Sequence, residues 1–114
     1  MSRRAALLRD LVRGSRPIAD LSKELAAFEW DSEEELVTVD RSDVSDLLQD
    51  YIAGHRSGSD VRAWAEAIEG RDDIGLAATY EEALRDTIFE LANPELSHAL
   101  TPLLAQHLLR RLQA

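Results

Sequence analysis

The chain has 114 residues, 45% hydrophobic and 31% charged, and its 22 acidic against 13 basic side chains give a net charge of -9. One domain of this size buries roughly two-thirds of the surface its unfolded chain exposes, enough for a core without covalent staples. The lack of cysteine excludes disulfides, thiol chemistry and zinc ribbons, the acidic balance argues against a nucleic-acid partner, and no apolar run approaches the ~20 residues of a membrane span.

Asp10 and Arg13 interrupt the apolar stretch that follows the basic start, unlike a secretory leader, so a cytoplasmic location is expected. Leu7, Leu8, Leu11 and Val12 then form one stripe of an amphipathic helix. Gly14 suits the left-handed conformation that closes a helix, and Ser15 and Pro17 sit where a second helix would begin. Ile18, Leu21, Leu25 and Phe28 continue it at helical spacing. The acidic connection from Trp30 to Arg41 contains one extended run, Leu36 to Val39. No second strand is evident, so this run is expected to lie over the helices as extended chain.

Val44, Leu47, Leu48, Tyr51 and Ile52 mark a third helix ending at Gly54. Ser57 or Ser59 caps a fourth, whose core face is Val61, Trp64, Ala65 and Ile68, and Gly70 stops it. After an irregular stretch, Thr79 and Glu82 have the spacing of a capping box. Tyr80, Leu84, Thr87, Ile88 and Leu91 line that fifth helix, and Asn93-Pro94 ends it. Thr101-Pro102 opens a last helix with Leu103, Leu104, Leu108 and Leu112 expected inward.

Residues Leu7 to Leu21 (LLRDLVRGSRPIADL) align without gaps on Leu47 to Val61 (LLQDYIAGHRSGSDV), with six of fifteen positions identical. Random pairing would give about one. The pattern predicts a duplicated unit. The expected architecture is all-α: about six helices in antiparallel pairs, as a single domain spanning residues 1–114. Two tandem helical-hairpin repeats, about 3–28 and 42–70, precede a C-terminal helix pair at 79–114.

Chemistry-bearing patterns are sparse. None of His55, His98 and His107 stands four residues from another, and no HExxH spacing occurs. His107, inside a leucine stripe, reads as a partly buried residue bonded to a carbonyl. Glu66 and Glu69 share a helix face, but di-metal carboxylate sites need Glu-x-x-His pairs on further helices. With Asp72 and Asp73 they read as solvated helix face and turn. Phosphate loops of the GxxxxGK or GxGxxG kind are missing. No catalytic residue, cofactor site or metal site is therefore expected, and the chain is not expected to be an enzyme.

Charge is the remaining signal. Residues 26–50 hold nine acidic groups against one basic. Asp31, Glu33, Glu34 and Glu35 crowd the connection; Asp43, Asp46 and Asp50 form one stripe on the third helix, away from the leucines. Like charges at i, i+4 destabilise a helix by about 0.2–0.5 kcal/mol, so the stripe reads either as a face in use or as a merely solvated acidic face. These seven residues are the candidate partner-binding set, suited to a basic protein by steering and complementarity. Trp30 and Tyr51 are candidate aromatic anchors, whereas Trp64 and Phe28 read as core. Phe89 and Leu109 fall off the core stripes and mark the alternative, a structural or assembly protein whose helix faces build a homo-oligomer, with a homodimer open.

The segment Leu47-Leu48-Gln49-Asp50-Tyr51-Ile52-Ala53-Gly54, followed by Asp60-Val61 and Trp64, resembles the start of small helical bacterial colicin-type immunity proteins. The resemblance covers about a fifth of the chain. The WDSEE, WAEAIEGRDDI and IFELANPEL runs also resemble uncharacterised helical bacterial proteins. The immunity resemblance implies a non-enzymatic inhibitor that covers the active site of a basic nuclease toxin, with acidic side chains mimicking phosphate.

Overall fold

The structure is a computed structural model that describes residues 2–28 and 31–113. The chain is mostly helical, with six helices among the described residues: α1 (Arg3–Arg13), α2 (Ile18–Leu25), α3 (Arg41–Ile52), α4 (Gly58–Ile68), α5 (Glu81–Ala92) and α6 (Pro102–Gln113). The expectation of a purely helical chain is corrected by two short strands, β1 (Val37–Val39) and β2 (Ile74–Leu76). They pair in parallel, with Thr38 opposite Gly75. The extended run thus has a partner, reached through a crossover that contains α3 and α4.

Local chemistry sets most helix ends. Ser2 caps α1, its side chain accepting from Ala5 N–H at 3.1 Å. Gly14 has φ 62° and ends α1, its N–H donating to Leu11 and the Ser15 N–H donating to Asp10, both at 3.1 Å. Gly54, with φ 83°, ends α3 through the same pair of bonds, to Tyr51 at 3.1 Å and from His55 to Asp50 at 2.9 Å. Both are Schellman closures, which glycine makes without a Cβ penalty.

Of the two candidate serines, Ser57 caps α4 in a capping box with Asp60. A second box, Asp40 with Asp43, opens α3. Thr101 caps α6 as expected, accepting from Leu104 N–H at 3.1 Å. The expected Thr79–Glu82 box is absent, because residues 78–80 form a 3-10 turn and α5 begins only at Glu81.

The core joins all the elements. Leu8, Leu11, Leu21, Leu48, Trp64, Leu84, Leu108 and Leu112 are completely enclosed. Each such aliphatic side chain stabilises the fold by about 1.5–3 kcal/mol relative to exposure. α1 packs on α2 and α4, α4 packs chiefly on α5, and α3 chiefly on α6. Leu103 is corrected: it stands 73% exposed, while Ala105 takes the buried place one helical turn before Leu108, in line with Leu112.

Polar bonds tie the layers together. The Trp64 indole N–H donates to the Val12 carbonyl at 3.2 Å, and Arg56 donates to the Gly14 carbonyl at 3.2 Å. Arg41 lies 4.2 Å over the Tyr80 ring and donates to the Leu112 carbonyl at 3.4 Å. Asp73, expected in a solvated turn, is fully buried. It accepts from Arg71 through both oxygens, at 2.9 and 3.0 Å, and from Arg4 Nε at 3.0 Å. Its own carbonyl accepts from Leu36 N–H at 2.8 Å. One residue therefore anchors β1, β2 and α1.

Candidate functional site

The seven acidic candidates divide into two groups. Arg4 donates to the Asp31 carbonyl at 3.2 Å, which places Asp31 beside the start of α1. Asp43 feels the charge of Arg13, at the other end of that helix. The two arginines are nine helical steps apart on α1, about 13.5 Å of rise. The acidic connection and the α3 aspartates thus lie toward opposite ends of α1 rather than in one cluster.

Within α3, two of the three aspartates hold structural bonds. The Asp43 carboxylate accepts from the Asp40 N–H at 2.8 Å, completing the capping box. Burial raises its pKa; the Asp40 N–H lowers it, the Asp40 charge raises it, and the net direction is upward. Asp50 lies 3.9 Å from the Arg56 guanidinium. Asp46 is exposed and makes no ion pair among the described residues.

On the connection, Asp31, Glu33, Glu34 and Glu35 are exposed except for what their backbone binds; Ser32 Oγ donates to the Glu34 carbonyl at 2.7 Å. The cations, by contrast, are largely committed. Arg3, Arg4, Arg16, Arg56, Arg62, Arg71, Arg85 and Arg111 all hold carboxylates. The surplus negative charge of the chain is therefore displayed, most densely just before β1.

A groove of about 590 Å³ opens beside this segment, between the end of α4, β2 and the length of α5 from Glu81 to Phe89. Its apolar wall includes Ile68, Ile74, Leu76 and Ile88, and Phe89 stands 46% exposed at its margin. Glu35, Glu69 and Glu81 rim it, with Arg85 as the exposed cation. The Glu35 carboxyl lies against the open face of Gly75, in the space a side chain there would need. Phe89 was legible as an off-stripe aromatic; the groove was not, because β2 and its distance from α5 exist only in the folded chain.

A smaller groove of about 250 Å³ lies between α4 and α6, lined by Gly58, Arg62, Pro94, His98, Leu100 and Leu104. Tyr51 is half-buried, with its hydroxyl donating to the Leu100 carbonyl at 3.3 Å, so it holds the last loop rather than standing free. Trp30 lies outside the described residues. Trp64 is core, as expected, and Phe28 is half-buried. His107 is corrected to exposed. Among the described residues no three His, Asp or Glu side chains converge as metal ligands, and no helix is long and apolar enough to cross a membrane. No family, curated protein or solved structure gives a significant match to the chain.

Proposed function

We propose that the chain is a non-enzymatic protein-binding module that docks a basic protein through its displayed carboxylates, with an immunity-type inhibitor of a basic nuclease toxin as its specific form. One observation carries the reading. The arginines are mostly held in ion pairs, while Glu33, Glu34, Glu35 and Asp46 are exposed without an ion pair among the described residues. Unpaired like charges raise the encounter rate with an oppositely charged protein. Asp43 and Asp50 add to the same field while keeping their internal bonds.

The test is partner capture at low and high salt, followed by association kinetics of the captured protein. Asp43, Asp46 and Asp50 changed together to asparagine, or Glu33, Glu34 and Glu35 to glutamine, should slow the on-rate by about tenfold at low salt and flatten its salt dependence. For the inhibitor form, the captured protein should be a nuclease whose activity the chain suppresses. Unchanged on-rates in both variants would reject the acidic docking reading.

A second reading, a homodimer, is favoured by Leu96 and Leu103, exposed to 70% and 73% near the smaller groove. Sedimentation of the native chain and of Leu103→Glu separates the two readings, since only the dimer reading expects a concentration-dependent mass that the variant abolishes.

The hairpins α1–α2 and α3–α4 are further proposed to be copies of one ancestral unit. Support comes from the matching closures at Gly14 and Gly54. It also comes from the equivalent ion pairs, Arg16 with Asp10 at 4.0 Å and Arg56 with Asp50 at 3.9 Å. Independent point changes have since altered the helix starts, which differ at Pro17 and Ser57.

A further inference from the structure

The geometry points to a specific mode of recognition in the larger groove: an extended basic segment of the partner adds as a third strand to the outer edge of β2. The inference rests on the acidic docking reading and names how that partner would be held. It starts from strand parity. The Asp73 carbonyl accepts from Leu36 N–H, and Ala77 N–H donates to the Val39 carbonyl, so residues 73 and 77 face β1. Successive residues of a strand direct their backbone groups to opposite edges. Gly75 therefore also faces β1, while the N–H and C=O groups of Ile74 and Leu76 face away from it. Neither residue's backbone bonds to a described residue outside the sheet.

That edge borders the groove. A two-stranded sheet with an open edge is a template for a further strand, and strand addition combines main-chain bonds with pockets for alternate side chains. The walls match a period of two. One face of an added strand, on the side of the Ile74 and Leu76 side chains, would meet Ile88 and Phe89, and the other, on the side of Gly75, would meet the Glu35 carboxyl. Of the three rim carboxylates, Glu81 pairs with Arg85 and Glu69 accepts from Asn93, while Glu35 holds no ion pair among the described residues. The Arg71 guanidinium is held by Asp73, so the rim keeps a net negative charge. An occupant alternating apolar and basic residues is thus complementary in shape and charge. An acidic or helical one is not, since a helix cannot pair with the edge. Asp73, held by Arg71 and Arg4, keeps β2 fixed in register, so the edge is formed before anything binds.

The experiment uses the full chain labelled with nitrogen-15 and a capped hexapeptide of alternating lysine and valine. Two further versions carry backbone N-methyl groups, one on the lysines and one on the valines. The parent peptide should slow hydrogen exchange at the Ile74 and Leu76 amides and shift the signals of Phe89. One methylated version should bind about tenfold more weakly than the other, because only one set of its N–H groups faces the edge. Glu35→Gln with Glu81→Gln should weaken the parent peptide at low salt and leave the difference between the methylated versions in place. Equal affinities for the methylated versions, with no amide protection, would overturn strand addition. The acidic reading would still stand or fall on the on-rates of the α3 and connection variants. Absence of any parent binding up to roughly 1 mM would overturn strand addition as well.

Discussion

The Arg56 guanidinium donates to the Gly14 carbonyl at 3.2 Å, so the turn residue after α1 is held by an arginine from the turn between α3 and α4. Arg16, forty positions earlier, contacts Asp10 of α1 and Glu24 of α2. The same residue type thus ties α1 to α2 and joins the turn after α3 to the turn after α1.

Alanine at the two turn glycines should separate backbone strain from crowding. Both positions have positive φ, which costs an alanine about 1 kcal/mol. Nothing lies within 4 Å of a Cβ at Gly54, whereas a Cβ at Gly14 would meet Arg56 Nη2 at 3.0 Å. Gly14→Ala is expected to destabilise more than Gly54→Ala in urea titrations, and the excess should shrink in an Arg56→Ala background. Equal penalties that ignore Arg56 would contradict the contact.

Trp64→Phe removes the only hydrogen-bond donor of that side chain, leaving the Val12 carbonyl at the end of α1 without its buried partner. An unmet buried acceptor costs about 1–3 kcal/mol, and the lost ring volume adds to it. Thermal or chemical denaturation should show a loss at least that large, with native helix content retained. A loss below about 0.5 kcal/mol would remove the bond from the account.

Asp73→Asn tests the buried ion network. It removes the carboxylate charge that Asp73 presents to Arg71, whose side chain is almost wholly enclosed. Breaking one partner of a buried pair destabilises by about 3–5 kcal/mol. The pH dependence follows from the lowered pKa of Asp73. Burial pushes this pKa up, but the hydrogen bonds from Arg71 and then Arg4, with their charges, outweigh it. A depressed folded pKa means the stabilisation is present above the unfolded value of 3.8 and disappears as pH falls through the folded value. The variant should therefore be less stable at neutral pH and show a shallower loss of stability on acidification.

Asp43 titrates with the opposite sign. Its folded pKa is raised above 3.8, chiefly by burial. The native state then binds the proton more tightly than the unfolded chain, so this group lowers stability as pH rises through the window just above 3.8. Asn can still accept the Asp40 N–H through its side-chain oxygen. Asp43→Asn is expected to hold or slightly raise stability at neutral pH and to remove this part of the pH slope. A marked destabilisation would mean that the ionised carboxylate itself is needed at the capping box.

Helix content and helix ends were legible because their signals are local. The stripes Leu7 to Val12 and Leu47 to Ile52, the turn glycines, Ser57 and the Thr101-Pro102 start each act within one or two turns of the chain. The acidic surplus was equally plain, since charge needs no fold to be counted. Its use was less so. Asp43 and Asp50 share a stripe with Asp46, yet the capping box and Arg56 engage the first two and leave the third exposed.

The sequence by itself determined that this chain forms amphipathic helices with defined ends and an acidic middle, because propensity, periodicity and capping are properties of neighbouring residues. Only the tertiary structure decided the sheet and the groove beside it. Ile74-Gly75-Leu76 is too short for a periodic signal and has a weak strand former at its centre. It becomes β2 because the Asp73 carboxylate is fixed by Arg71 and Arg4, and because the Asp73 carbonyl receives the Leu36 N–H. Arg4 and Leu36 lie far from Asp73 along the chain, and their attraction selects a conformation only once the helices have brought them together.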